Sequence, residues 1–242
     1  MATTTERAES HPIGIVGDET LVSVYVWELP VRIAHWVIVL SIAVLSFTGY
    51  YLYYPFIISR SSDGFVMGTM RFIHEIAGFA LIAAFIVRLY WFFMGNRWAR
   101  WREFVPTSRP QVDGLFNQLR YYLFLKRDPS MRVGHNPLAG ITYVAIYFLI
   151  LIELLTGLVL YNRVLGGRVL GFFVNWITWF ASYRTIRQIH FLIMFAFLAF
   201  VVHHVYSAVL IDIEERSGLV GSIFSGYKYF TRRKIREDAQ RR

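Results

Sequence analysis

Four stretches of this chain, residues 34–54, 72–94, 138–161 and 189–211, are long and apolar enough to cross a hydrocarbon layer. A helix needs about 20 residues to span the roughly 30 Å of such a layer. Inside a bilayer no water reaches the backbone N–H and C=O groups, so a run of this kind closes its hydrogen bonds internally as a helix. Only 17% of the residues are charged and 56% are hydrophobic, whereas a soluble domain carries about a quarter charged residues. The expected class is an all-α integral membrane protein, a bundle of four transmembrane helices. Pro30 and Pro137 precede the first and third spans, where a helix start tolerates proline, and Pro55 closes the first. The apolar segment FFVNWITWF (172–180) is too short to span and rich in tryptophan, which suits an interfacial or re-entrant piece. Residues 1–24 lack an apolar core and a cleavage site, so they read as a flexible tail and not as a signal peptide. Residues 25–230 form the membrane domain and 231–242 a basic tail. No internal repeat stands out.

The net charge of +9 lies between and beyond the apolar runs, which assigns it to membrane topology and argues against nucleic acid. Lysine and arginine number 18 in the N-terminal, second-loop and C-terminal segments against 6 in the other two loops. The positive-inside rule therefore puts both termini in the cytoplasm. Two basic, aromatic stretches fall on that side. LFNQLRYYLFLKRD (115–128) suits either an interfacial helix or one packed on protein, and GYKYFTRRKIRE (226–237) suits an anchor near anionic lipid.

There is no cysteine, which rules out disulfides, thiolate-held iron–sulfur clusters and covalent c-type haem within this chain. Histidine is left as the main candidate ligand. His35 opens the first span on the cytoplasmic side, and His74 begins the second near the outer face. His190 begins the fourth span near the outer face, and His204 lies about 21 Å further along that helix. Depth alone pairs His74 with His190 and His35 with His204. His190 and His204 are about 40° apart on one helical face, while the adjacent His203 points about 140° away from His190.

An imidazole in hydrocarbon is costly unless paired or ligated. Two histidines per layer suit the axial positions of a haem iron, with the macrocycle filling the apolar interior. They do not make the usual four-coordinate zinc site. Two haems b, stacked between the helices, are the expectation. Gly49, Gly78 and Gly157 allow close approach within the spans, by a macrocycle or by a neighbouring helix. Arg88 shares the face of His74 and suits a haem propionate or a snorkelling position. Glu153, within the third span, suits a proton path, a hydrogen bond to a ligand histidine, or a structural pairing.

The segments PVRIAHW (30–36), RFIHEIAGF (71–79), GHNPLAG (134–140), RQIHFLIMFAFLAFVVHHVY (187–206) and SGYKYF (225–230) resemble the diheme b-type cytochrome subunit of membrane-bound nickel–iron hydrogenases. The resemblance runs from about residue 25 to 230. It implies axial ligation by His35, His74, His190 and His204. It further implies a bacterial inner-membrane protein that anchors the hydrogenase small and large subunits on the periplasmic face. Electrons would pass from the small-subunit iron–sulfur cluster through the outer and inner haems to a quinone, menaquinone or ubiquinone. By analogy with formate dehydrogenase relatives, His135 and Asn136 become quinone candidates together with His204, although an asparagine before a proline is also an ordinary helix start. His203 is a departure that suits a replacement ligand, a quinone or proton role, or a headgroup contact. A cysteine-free chain cannot hold a nickel–iron site, so on its own it is an electron carrier. The alternatives are a cytochrome for another respiratory dehydrogenase, such as formate dehydrogenase, and a haem-free membrane anchor.

Overall fold

All four apolar stretches are helical in the computed structural model, which describes residues 10–16, 19–57, 65–127 and 133–240. Two strands come first, β1 (Ser10–Val16) and β2 (Glu19–Tyr25). The helices α1 (Leu29–Tyr53) and α2 (Val66–Met94) follow. A 3-10 turn (Trp101–Glu103) and the amphipathic α3 (Arg109–Tyr122) lead to α4 (Pro137–Leu165). The chain continues through α5 (Arg168–Val174), a 3-10 turn (Asn175–Trp179) and α6 (Tyr183–Glu215). It closes with α7 (Leu219–Ser225), β3 (Tyr227–Thr231) and α8 (Arg232–Gln240). Among the described residues, α1, α2, α4 and α6 are the four helices of membrane-spanning length and composition. The helices α4 and α6 extend past their apolar runs at both ends, and α1 and α2 extend past theirs at the start only.

The chain divides into two compact units, and one consists of Ala34–Ile86 and Ile146–Val202. Phe85, Ile150 and Phe197 form its first apolar cluster, with Ile38, Ile42 and Ile193 packed against them. A second cluster joins Val159, Val174 and Ile186. The segment expected at an interface is thus α5 and its 3-10 turn, with Val174 inside while Phe172 and Trp179 stay more than 80% exposed. Large apolar side chains such as Phe72, Phe148 and Leu192 also face outward. A surface this apolar is tolerable where lipid is the solvent.

The other unit comprises the described parts of Met1–Ile33, Val87–Ala145 and His203–Arg242. It contains an antiparallel sheet of order β1-β2-β3, a departure from the all-α expectation. Residues 10–24, expected as part of a flexible tail, supply β1 and most of β2, and residues 1–9 lie outside the described residues. Val22 pairs with Phe230 and Val24 with Lys228 across β2 and β3, all four buried. The apolar core joins Val24, Val26, Trp27, Trp98, Val133 and Phe230. Ile235 of α8 packs on it, so the basic C-terminal segment is helical and amphipathic. Gly226 turns the chain into β3 at φ 89°, and a Cβ there would stand 2.6 Å from Tyr25 and 2.8 Å from the Trp27 carbonyl. Trp27 Nε1 donates to Ser222 Oγ at 2.9 Å. Asn96 closes the end of α2, donating to the Val26 carbonyl and accepting from the backbone N–H groups of Trp98 and Ala99.

Candidate functional site

Within the first unit, His74 of α2 and His190 of α6 face each other with ring centroids 6.3 Å apart. Each ring is held the same way by the spanning helix that precedes its own. Thr48 Oγ1 of α1 lies 2.8 Å from His74 Nδ1, and Thr156 Oγ1 of α4 lies 3.0 Å from His190 Nδ1. The next residue is glycine in both cases. A Cβ at Gly49 would come 3.2 Å from His74 Cε1, and one at Gly157 would come 3.2 Å from His190 Cε1. The imidazoles therefore lie directly on helix backbone. Gly78, one turn after His74, is different: a Cβ there would meet nothing within 4 Å.

This arrangement fits a shared metal ion. Two imidazoles bound to one ion at about 2 Å each bring their ring centroids to about 6 Å. With both Nδ1 atoms engaged, the Nε2 atoms have no hydrogen-bond partner among the described residues. Glu153 adds an asymmetry: its Oε1 lies 3.3 Å from His190 Nδ1, and its Oε2 is buried without a hydrogen bond. Of the three roles open to Glu153 in the sequence, the geometry is that of a partner to the histidine. Neither threonine was singled out by sequence reasoning, though the repeated Thr-Gly pair within apolar spans was visible there. In the same unit, His35 is partly buried and lies edge-on to Trp36 at 5.3 Å.

The second unit contains Arg88, His135, Asn136, His203 and His204. The His135 ring lies 4.7 Å from Trp27, 4.7 Å from Phe104 and 5.0 Å from Tyr143. Its Nδ1 is enclosed without a hydrogen-bond partner, and a depression lined by Glu103, Pro106, Gln111 and Pro137 opens beside it. Burial holds the imidazole well below its ordinary pKa, and the charges of Arg88, Lys228 and His204 add to the effect. His135 is therefore neutral at pH 7. Arg88 is buried, with its guanidinium over the Phe104 ring at 5.1 Å and 3.4 Å from the Ala99 carbonyl it donates to. Asn136 caps α4, its Oδ1 accepting from the Ala139 N–H at 2.8 Å.

The adjacent histidines diverge. His204 Nδ1 lies 3.3 Å from the Tyr143 hydroxyl, one ring away from His135. His203 is exposed and turns to Tyr122 of α3, edge-on at 6.0 Å.

Comparison with known proteins adds to this geometry. A family model described as prokaryotic cytochrome b561 matches residues 26–226. The chain is 37% identical over 218 residues to the probable Ni/Fe-hydrogenase B-type cytochrome subunit of Bradyrhizobium diazoefficiens, covering 86% of this chain and 87% of that protein. A protein of the same description from Rhizobium leguminosarum is 38% identical over 223 residues, covering 89% of this chain and 92% of its own. The probable Ni/Fe-hydrogenase 1 B-type cytochrome subunit of Escherichia coli is 34% identical over 217 residues, covering 87% and 92%.

Proposed function

The chain belongs to the prokaryotic cytochrome b561 family, and on that premise we propose that it is the diheme b-type cytochrome of a nickel–iron hydrogenase. In this reading it anchors a periplasm-facing hydrogenase in the bacterial inner membrane and carries its electrons to membrane quinone. Both termini and α3 lie on the cytoplasmic side, following the distribution of lysine and arginine. The observation that carries the reading is the facing pair His74 and His190, each with Nδ1 engaged by a threonine and its ring seated on a glycine.

His74 and His190 would hold the outer haem, and His35 and His204 the inner one. Bound haem b supplies a reversible one-electron iron couple whose potential follows ligand basicity, burial and hydrogen bonding. The protein's part is to hold the imidazoles, exclude water and keep the apolar interior dry. Arg88 offers a buried positive charge for a propionate near the cytoplasmic end. His135 is the residue best suited to a quinone headgroup. It is a neutral imidazole with an enclosed Nδ1, walled by Trp27, Phe104 and Tyr143, and so offers a hydrogen bond among aromatic faces. Asn136 supports that place by starting α4. His203, turned to Tyr122, suits proton exchange at the surface better than ligation.

A pyridine haemochrome assay on the purified chain and its four single His→Ala variants tests the assignment. Two haems b per chain are expected, with one lost in His74→Ala and in His190→Ala, and the other in His35→Ala and in His204→Ala. Absence of b-type absorbance from the folded chain overturns the reading. Retention of both haems in His204→Ala with loss in His203→Ala reassigns the inner ligand.

A further inference from the structure

We propose that Thr48 and Thr156 are positioning residues that fix His74 and His190 as Nδ1–H tautomers, leaving each Nε2 lone pair directed to iron. The inference rests on the haem reading above and adds the devices that set the ligand state.

A hydroxyl has one hydrogen to donate and two lone pairs to accept with. Thr48 Oγ1 lies 2.7 Å from the Val44 carbonyl, one turn earlier in α1. Thr156 Oγ1 lies 2.8 Å from the Ile152 carbonyl and 3.0 Å from that of Glu153. A carbonyl cannot donate, so each hydroxyl proton is committed to its own helix, the usual back-bond of a threonine inside a helix. What remains on Oγ1 is acceptor capacity, and the atom it meets is a histidine Nδ1 at 2.8 Å or 3.0 Å. That nitrogen must carry the hydrogen. A neutral imidazole protonated at Nδ1 has its lone pair on Nε2, the state a metal ligand needs.

At His190 the Glu153 Oε1 also stands 3.3 Å from the same nitrogen, close enough for its oxygen to favour a hydrogen there. The glycine after each threonine completes the unit by letting the ring lie close enough for the bond to form. The two units are 26 residues (Thr48 to His74) and 34 residues (Thr156 to His190) long, so they share a geometry without a sequence repeat.

An acceptor on Nδ1–H makes the imidazole a more basic ligand and favours the oxidised iron. Removing it should raise the outer haem's midpoint potential. The test uses the full haem-loaded chain with Thr48→Val and Thr156→Val, which keep shape and lose the acceptor, and Thr48→Ser and Thr156→Ser, which restore it. Potentiometric titration and electron paramagnetic resonance of the oxidised low-spin haem are the readouts. Expected are an upward shift of the outer haem alone, altered g-values in the valine variants, and a return to wild-type behaviour in the serine variants. Loss of the outer haem in a valine variant with retention in its serine counterpart also supports the proposal. Unchanged potential and g-values in both valine variants overturn it, as does a serine variant that shifts, or loses haem, as far as the valine one. Failure of the haem reading looks different, since the wild-type chain would then lack b-type absorbance or both haems would survive His74→Ala.

Discussion

Gly157→Ala sets two opposed effects against each other at the outer pair. In a helix interior, alanine is favoured over glycine by about 1 kcal/mol. The added methyl, however, would stand 3.2 Å from His190 Cε1, with Nδ1 at 3.9 Å and Nε2 at 4.0 Å. Ordinary contact begins at 3.4 Å, so the ring edge must retreat by a few tenths of an ångström. The backbone is untouched, and the loss of contact should roughly cancel the propensity gain, leaving stability within about 1 kcal/mol of wild type. Ligand geometry is less tolerant, since a functional constellation works within about 0.5 Å of its productive arrangement. Gly157→Ala is therefore expected to keep its haem while changing the low-spin resonance signal. Gly157→Leu should overpack the site at a cost of about 1–3 kcal/mol and lose the outer haem. Gly49, at the same 3.2 Å from His74 Cε1, should behave alike. Haemochrome content, resonance spectra and thermal unfolding in detergent are the measurements. Wild-type haem content and spectra in both Gly49→Leu and Gly157→Leu would refute the seating of the rings on these glycines.

Four further outcomes are expected in the second unit. Gly140→Ala would place a Cβ 2.7 Å from the Phe104 carbonyl oxygen and 2.9 Å from its Cα. Because backbone must move, a loss of about 1–3 kcal/mol is expected in denaturant unfolding. Gly221→Ala meets nothing within 4 Å and should gain up to about 1 kcal/mol. Glu215→Ala removes the carboxylate 3.7 Å from the buried Lys228 ammonium, whose pKa burial already holds down, and should cost about 3 kcal/mol. Adding Lys228→Met should recover much of that loss in the same unfolding assay. His135, with its pKa lowered by burial and by Arg88, Lys228 and His204, gives stability a pH dependence of known sign. Below about pH 6.5 the unfolded chain takes up a proton that the folded chain refuses. Stability then falls as pH falls, by at most about 1.4 kcal/mol per unit, until the folded pKa is reached. His135→Phe should remove that slope, and unfolding titrations at pH 7 and below 6.5 measure it.

The parts of this molecule legible in the sequence are those that follow from position along a helix. Counting spans puts His74 and His190 at one depth, and their rings lie 6.3 Å apart. Angular arithmetic separates His203 from His204, and they turn to different tyrosines. What the second residue meets is another matter. Tyr122 belongs to α3, a helix outside the four spans, so nothing in the helical repeat of α6 points to it. Arg88 shows the same limit. Its face follows from His74, but a long side chain travels several ångströms from its Cα and settles on Phe104. The sheet was obscured by Lys228, a charge at an inward position of β3 that breaks the apolar alternation, tolerable because Glu215 and the Phe230 ring meet it.

The threonines show why a site can be plain in space and silent in sequence. Within an apolar span, a threonine beside a glycine reads as small-residue packing, since its hydroxyl is already satisfied by its own helix. Its second capacity, the lone pair offered outward, is used only when a ring arrives from the following spanning helix. That arrival depends on tertiary packing and on no local pattern. The same physics makes the two units inequivalent. His74 has a threonine alone at its Nδ1, and His190 has a threonine and a carboxyl oxygen 3.3 Å away, because Glu153 stands on the same helix as Thr156 and one turn away. A pair of histidines that sequence depth treats as interchangeable is therefore asymmetric in its surroundings. The potential of the iron between them would answer more sharply to Thr48, whose loss leaves His74 without an acceptor among the described residues, than to Thr156, whose loss leaves the Glu153 carboxyl in place.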